Sequence, residues 1–389
     1  MQALADPFDA GPYTRIQRSI RVIGVSAPRA GKRAALAALI AWFPLIVLSA
    51  LEGVGIGPTP RDSMWLDIAS HARYLVAVPL LVLAESFCLP GLAGIANHLG
   101  AAGMVAETSR ARYQELLDST RRLLASPFTG VAIAALAYAL TVLMPSPVTV
   151  GGDTTWIAPT SIGSRGLSLA GWWRTLVSHP LFSILQLAWL WRIVLWGRFL
   201  YGVSRLDLKL TPAHPDGVAG LGFFGASLRF FIVPAFALAV PLAGAVAQEI
   251  QYGGRTLFEF RFIIAALLVA ELILFTAPLL FLTPRLIGER ARGVFQYGAL
   301  AAAVGARFER RWLQEIGSVA DDTAMAVPDF SATTDLYSIA ANVNQMQVVP
   351  ASLPQIARLI LAVLLPFLPA LVMTMPVRDI LGHVAKFVL

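Results

Sequence analysis

Apolar and polar residues follow one another along this chain in long blocks. Seven blocks are long and apolar enough to cross a bilayer, which takes about 20 mainly apolar residues. They cover 34–51, 74–95, 128–144, 180–203, 228–247, 262–282 and 356–376. An eighth block, 293–306, is shorter and has Arg290, Arg292, Arg307 and Arg310 at its ends. It predicts an amphipathic helix rather than a span. The expected fold is all-α, a polytopic transmembrane helical bundle of about seven spans.

The polar stretches between the blocks are unequal. Residues 104–125 place Tyr113, Leu116, Leu117, Leu123 and Leu124 on one stripe, and Glu107 can pair with Arg110 at i,i+3. That is an amphipathic helix. The segment 284–355 predicts a helix over 286–316, an acidic loop over 317–328, and a short helix over 331–347 with Ser331, Thr333 or Thr334 as cap. On the other side, 148–156 alternates around Gly151-Gly152 as a hairpin would. Trp172 and Trp173 stand where an interfacial aromatic belt belongs. The chain divides into a basic segment 1–33, a six-helix region 34–283, a helical segment 284–355, and a last span with its tail, 356–389.

Composition agrees with this pattern. The chain of 389 residues is 57% apolar and 14% charged, with mean hydropathy +0.69. Soluble domains run about 45–50% apolar and about 25% charged. Soluble, disordered and collagen-like classes are excluded. The net charge of +7 is read as topology rather than as a nucleic-acid surface. Eighteen Lys and Arg fall on the side of the N-terminus, Arg33 among them, and eight on the other, Arg73 among them. The positive-inside bias puts the N-terminus inside and the C-terminus outside a bacterial cytoplasmic membrane. The basic leader is too long for a signal peptide, so the first helix is expected to stay uncleaved. The lone cysteine, Cys88, excludes an intrachain disulfide and a thiolate zinc site and reads as a core residue.

The stretch Leu208-Lys209-Leu210-Thr211-Pro212-Ala213-His214-Pro215-Asp216-Gly217-Val218-Ala219-Gly220-Leu221-Gly222-Phe223 resembles a motif from a family of uncharacterised bacterial polytopic inner-membrane proteins. Phe308-Glu309-Arg310-Arg311-Trp312 and Leu365-Pro366-Phe367-Leu368-Pro369-Ala370-Leu371 are similar to that family too. The resemblance covers about the second half of the chain. It implies a bacterial integral membrane protein and transfers no functional residue.

Three ionisable residues lie deep in spans: Glu85 in the second, Arg192 in the fourth and Glu271 in the sixth. A charge there costs about 2.5–3.5 kcal/mol on insertion scales and usually pairs inside the bundle. They are the candidates for an ion or proton pathway, with Glu85 and Glu271 as carriers and Arg192 as counter-charge. The alternative is a single Glu–Arg pair that locks packing, beside a neutral second Glu. Trp189, Arg192, Trp196 and Phe199 share one side of the fourth helix, where arginine can lie over indole. Arg198 is near enough to the helix end to snorkel. Prolines interrupt most spans: Pro44, Pro79, Pro90, Pro234, Pro241, Pro278, Pro366 and Pro369.

The loop residues His214, Asp216 and Gly217 form a tight turn or, as the second reading, an anion or regulatory site. Gly24, Gly31 and Lys32 have the wrong spacing for a phosphate loop. His71 with Glu52, Asp62 and Asp67 offers at most a loose cation site. No nucleophile set, metal set or cofactor motif is present, so an enzyme is not expected. The expected function is a small-solute or ion permease, with proton coupling an option. The alternative is a non-catalytic scaffold or sensor that binds a cytoplasmic partner. The bilayer is the certain partner, a second copy of the chain or a cytoplasmic protein the open ones, and nucleic acid none.

Overall fold

The computed structural model describes residues 27–57, 63–143, 156–157, 167–314 and 329–374. The hairpin expected at 148–156 apart from Trp156, the leader arginines Arg15, Arg18 and Arg21, Gly24, Asp62, the acidic loop 317–328 and the tail 375–389 lie outside the described residues. Among the described residues the regular elements are helical, apart from one antiparallel bridge between Val105 and Leu208.

The runs that carry the fold are α1 (Ala27–Leu51), α2 (Ile68–Ala101), α3 (Arg110–Ala125), α4 (Pro127–Leu143), α5 (Leu169–Ser204), α6 (Ile232–Gly253), α7 (Arg261–Leu280), α8 (Thr283–Glu309), α9 (Asp329–Asn344) and α10 (Leu353–Thr374). Six runs are long and apolar enough to cross a membrane: α1, α2, α5, α6, α7 and α10. The seventh apolar block is α4. Its 17 residues reach about 25 Å at 1.5 Å per residue, and it is bent by 46° from α3. The bend has a local cause. Ser126 precedes a proline and sits extended at φ −66°, ψ 122°, so α3 stops and Pro127 opens a new helix.

Contacts along α4 show how it runs. The α3 helix before it packs on the last turns of α5, with Leu116 against Gly202. Near the far end of α4, the Tyr138 hydroxyl donates to the Leu176 carbonyl, at the first turns of α5. The helix therefore passes from one end of the bundle to the other. The same reasoning orients the rest. One end gathers Gly100, α3, Arg205, Arg285 and α8. The opposite end gathers Asp67, Trp156 and Ser168, where Trp156 Nε1 donates to Asp67 Oδ2 at 3.2 Å and Ser168 Oγ donates to the Trp156 carbonyl at 2.7 Å. We refer to the first as the arginine-rich end.

Two helices begin earlier than their apolar blocks predict. The second span starts at Ile68 rather than residue 74, and the fourth at Leu169 rather than 180. His71, Arg73, Arg174 and His179 interrupt the apolar runs without interrupting the helix. Both helices widen to a π turn, over Ala72–Ala77 and Arg174–Ser178. In each case a proline follows at once, Pro79 or Pro180. The residue before the proline donates its N–H five residues back, Val78 to Arg73 and His179 to Arg174. A proline ring clashes with the carbonyl four residues before it, and the wider turn moves that carbonyl aside.

The core is two clusters that meet at Phe230 and Leu238. The larger joins α2, α5, α6, α7 and α10. The smaller fastens α1 to α2 around Leu45, Tyr74 and Trp189. Small residues on the buried face of α6, such as Ala235, Ala239 and Ala243, let backbones approach as membrane interfaces require. Gly244 is the tightest case, because a Cβ there would meet Ala72 and the backbone of Ala69. Large apolar residues such as Phe128, Val131 and Phe262 stay exposed and face the lipid.

The α8 helix is not among the runs apolar enough to span, in keeping with the amphipathic reading of 293–306. It pairs with α9, where Tyr337 lies against Gly305 and Val343 against Gly293. The α9 helix starts at Asp329, so Ser331, Thr333 and Thr334 are inside it rather than capping it. Thr334 returns its hydroxyl to the Phe330 carbonyl at 2.9 Å, which makes it compatible with an interior position.

Candidate functional site

Glu85 stands in the middle of α2. Its Oε1 accepts from Arg192 Nη2 of α5 at 2.7 Å, and its Oε2 accepts from Arg33 Nη2 of α1 at 3.0 Å. One carboxylate thus ties three helices. Arg192 is 5% exposed, and its guanidinium carbon lies 5.1 Å from the centre of the Trp189 ring. That indole donates in turn to the Leu81 carbonyl at 2.9 Å. Trp196 and Phe199 continue the same side of α5 and stack at 5.6 Å. The stripe read from the sequence is therefore buried, and its cation–π contact is present. Two cations share one anion here, so the cluster carries an excess positive charge. The inner Nη1 of Arg192 is buried with no hydrogen-bond partner among the described residues.

Arg33, expected in the basic segment 1–33, belongs instead to the first helix. It lies within α1, near the start of the packed face set by Ala30, Ala34, Ala41 and Leu45. No local signal marks it, since its partner is 52 residues away.

Glu271 does not join this cluster. It is 4% exposed in α7, and neither carboxylate oxygen has a hydrogen-bond partner among the described residues. It takes part in no ion pair there either, so Glu85 and Arg192 converge and Glu271 stays apart. No hydrogen bond or ion pair joins Glu271 to Glu85 or Arg192 among the described residues. Glu85 is already neutralised by its two arginines, and Glu271 sits by itself in an apolar surround.

Arg73, expected as a loop cation on the outer side, lies within a helix instead. It is 6% exposed inside α2, between the rings of Phe182 at 5.7 Å and Tyr74 at 5.9 Å, and its Nε has no partner among the described residues. At the end opposite the arginine-rich one, two acidic residues and His71 have separate tasks. Asp67 caps α2 through Ser70, Glu52 accepts from the Leu169 N–H at 2.7 Å, and His71 Nδ1 accepts from Trp42 Nε1 at 2.8 Å. No group of three or more His, Cys, Asp or Glu among the described residues is placed to hold a metal ion. Cys88 is buried and donates to the Phe230 carbonyl at 2.6 Å.

The loop 205–221 is a built turn at the arginine-rich end. Asp216 Oδ1 accepts from the N–H groups of Val218 at 2.9 Å and Gly220 at 3.0 Å, and Oδ2 from Gly222 at 2.9 Å. Gly217, Ala219 and Gly220 take positive φ values of 67°, 55° and 95° to aim those groups inward. Partial burial alone would raise the Asp216 pKa. The N–H groups of Val218, Gly222 and Gly220 and the His214 ring outweigh it and hold the carboxyl below its usual range. His214 Nδ1 lies 2.9 Å from Asp216 Oδ1 and 3.3 Å from the Asp216 N–H, and can serve only one of them. The shorter contact to a charged oxygen favours donation to the carboxylate. Successive N–H groups of this kind form an anion-binding nest, and here the chain's own carboxylate fills it. An external anion would find these three donors taken.

The loop is also fastened from outside. Gly217 accepts from the Gln347 N–H at 2.8 Å, and Lys209 donates its N–H to the Met104 carbonyl at 2.7 Å. Arg285 Nε donates to the Ser204 carbonyl at 3.1 Å, and its Nη2 donates to the Leu206 carbonyl at 2.6 Å. Arg290 Nη2 donates to the Asn344 carbonyl at 2.7 Å. These arginines act as backbone clamps that join α8 and α9 to the ends of the spans. No family model, no curated protein and no solved structure matches this chain.

Proposed function

We propose that this integral membrane protein is a non-catalytic scaffold or sensor of a bacterial cytoplasmic membrane, with its arginine-rich end in the cytoplasm. The observation that carries the reading is the clamped platform at that end. Arg285 and Arg290 donate to main-chain carbonyls, and Gln347 pairs with the Asp216 turn, so α8 and α9 are held on the spans as one ordered body. That body presents Phe295, Leu300, Tyr337 and Ile339 to the outside. The cytoplasmic placement rests on the excess of arginine at this end. The bacterial assignment rests on the resemblance of residues 208–223 to polytopic membrane proteins of bacteria. The test is a photo-cross-linker placed at Phe295 or Tyr337 in cells, with one at the lipid-facing Phe128 as control. A defined protein adduct at the first two positions, lost when Ile339 and Leu300 are changed to serine, supports the reading. Adducts to lipid alone at all three positions overturn it.

A solute or ion permease is the second reading, and Glu271 favours it. An ionisable group buried in a span without a partner is expensive and is by default a functional candidate. The carrier is then Glu271 alone, since Glu85 and Arg192 hold each other. Proton or solute flux in proteoliposomes that vanishes in Glu271→Gln, with insertion and monodispersity intact, supports this reading. Unchanged flux removes it.

A further inference from the structure

At the arginine-rich end, a cavity of 330 Å³ opens between α3 and the last turns of α5. Arg112, Arg198 and Arg205 line it, with Ser119 and Glu115. Gly202 forms part of its wall, where the end of the Leu116 side chain of α3 packs against it. Two of the arginines are held in place by neutral groups. Arg198 Nη1 donates to Ser119 Oγ at 3.1 Å, and that hydroxyl is itself fixed by donating to the Leu116 carbonyl at 3.0 Å. Arg205 Nη2 donates to the Tyr201 hydroxyl at 2.9 Å, with its guanidinium carbon 5.1 Å from the ring centre.

The neighbouring arginines are used differently. On α3, Arg110 pairs with Glu107 at 2.9 Å and Arg121 with Asp118 at 3.4 Å. On α8, Arg285 and Arg290 are spent on carbonyls. Arg112, Arg198 and Arg205 have no ion pair among the described residues. Glu115 offsets one of their three charges and leaves the cavity with a surplus of two. Depth is the last point. Arg198 is six residues before the end of α5, about 9 Å along the axis. That places the cavity where a span leaves the apolar layer and the headgroups begin.

We propose that this cavity binds a phosphate oxyanion, carried by the headgroup of an anionic phospholipid. Guanidinium groups match phosphate oxygens in pairs, and basic pockets between helices at the cytoplasmic face hold such headgroups. The site is distinct from the Asp216 nest, whose donors are taken, and from the Glu85 cluster, whose arginines share a carboxylate. It holds for a scaffold and for a permease alike.

The test uses the full chain in detergent. Thermal unfolding is followed while phosphatidylglycerol, phosphatidylcholine or inorganic phosphate is titrated in. Phosphatidylglycerol is expected to raise the Tm, and phosphatidylcholine is not. Apparent affinity should fall about fivefold for each arginine replaced, so Arg198→Gln with Arg205→Gln loses about 25-fold. The pair Arg198→Lys and Arg205→Lys, which keeps the charge but loses the paired N–H groups, should recover only part of the response. Arg110→Gln with Arg121→Gln removes equal charge from paired sites and should leave it intact. A matching response to inorganic phosphate supports the site and assigns it to free phosphate. An equal response to both lipids overturns the proposal, as does an equal loss in the Arg110/Arg121 control.

Discussion

Arg33, in the first helix, and Arg192, in the fifth, reach the two oxygens of one carboxylate, Glu85, at 3.0 and 2.7 Å. Neither arginine is near the other in the chain. Between them they decide how α1 and α5 sit on α2.

Removing the shared anion should therefore cost more than removing one cation. Glu85→Gln leaves two buried guanidinium groups uncompensated, and breaking a buried pair in this way costs about 3–5 kcal/mol. Arg33→Gln leaves Glu85 with its shorter contact to Arg192 and should cost less than half of that. Thermal unfolding of the two purified variants checks the order. Equal losses would mean that Arg33 and Arg192 are not alternative partners of one group.

Glu271 should behave in the opposite way. Its carboxylate has no hydrogen-bond partner to lose among the described residues. An amide of the same shape keeps the packing and removes an ionisable group from an apolar site. Glu271→Gln is expected to leave the Tm unchanged or raise it. A drop comparable with that of Glu85→Gln would show that Glu271 carries a structural contact.

The difference between the two glutamates also marks how far the sequence could be read. Each was visible as a charge in an apolar run, because composition along one helix is a local property. Their partners were not, because Arg33 and Glu85 meet only through tertiary packing. Hydropathy even hid Arg33 and Arg73, since a charged residue ends an apolar block whether or not the helix ends there. The seven crossings and the amphipathic α3 were legible for the converse reason. Their signals repeat over many residues and survive one misplaced charge. The Asp216 turn was legible as a turn from Pro215-Asp216-Gly217, but the inward aim of the N–H groups depends on φ values that sequence does not state.

That turn supplies a pH prediction. The Asp216 carboxyl is held below its ordinary value of 3.8 in the folded chain. Its contribution is then fully present above that value and is lost as the pH falls through the lower, folded one. Protection of residues 205–222 from hydrogen exchange should weaken at the acid end of the range. Asp216→Asn should lower protection at neutral pH, by about 1–3 kcal/mol in local opening, and flatten the acid dependence. A variant whose protection still falls with acid in the wild-type manner would remove Asp216 as the cause.

Close approach of backbones gives a further prediction. At Gly225 a Cβ would run into the Pro350 carbonyl, and at Gly244 into Ala72 and the backbone of Ala69. Main chain cannot step aside as a flexible side chain can. Gly225→Ala and Gly244→Ala should each destabilise by about 1–3 kcal/mol. At Gly202 the obstacle is the end of the Leu116 side chain, so Gly202→Ala should cost less. Unfolding midpoints of the three variants check the ranking.

The topology can be tested from the same contacts. Tyr138 of α4 meets Leu176 at the end of the bundle opposite α3, so α4 must cross even though it has only 17 residues. The last helix begins where Gly225 abuts Pro350 and ends against Leu257–Phe260. It therefore runs the same way as α1, and the described ends of the chain lie on opposite faces. With the arginine-rich end inside, single cysteines at Gly103 and Phe295 should label only from the cytoplasm, and one at Gly254 only from outside. Native Cys88 is buried and is best replaced by alanine to remove background. Labelling of Gly103 and Gly254 from the same side would break the argument from Tyr138. Inversion of all three would leave the seven crossings intact and overturn only the arginine-based orientation, because the relative placement comes from packing and the absolute direction from charge.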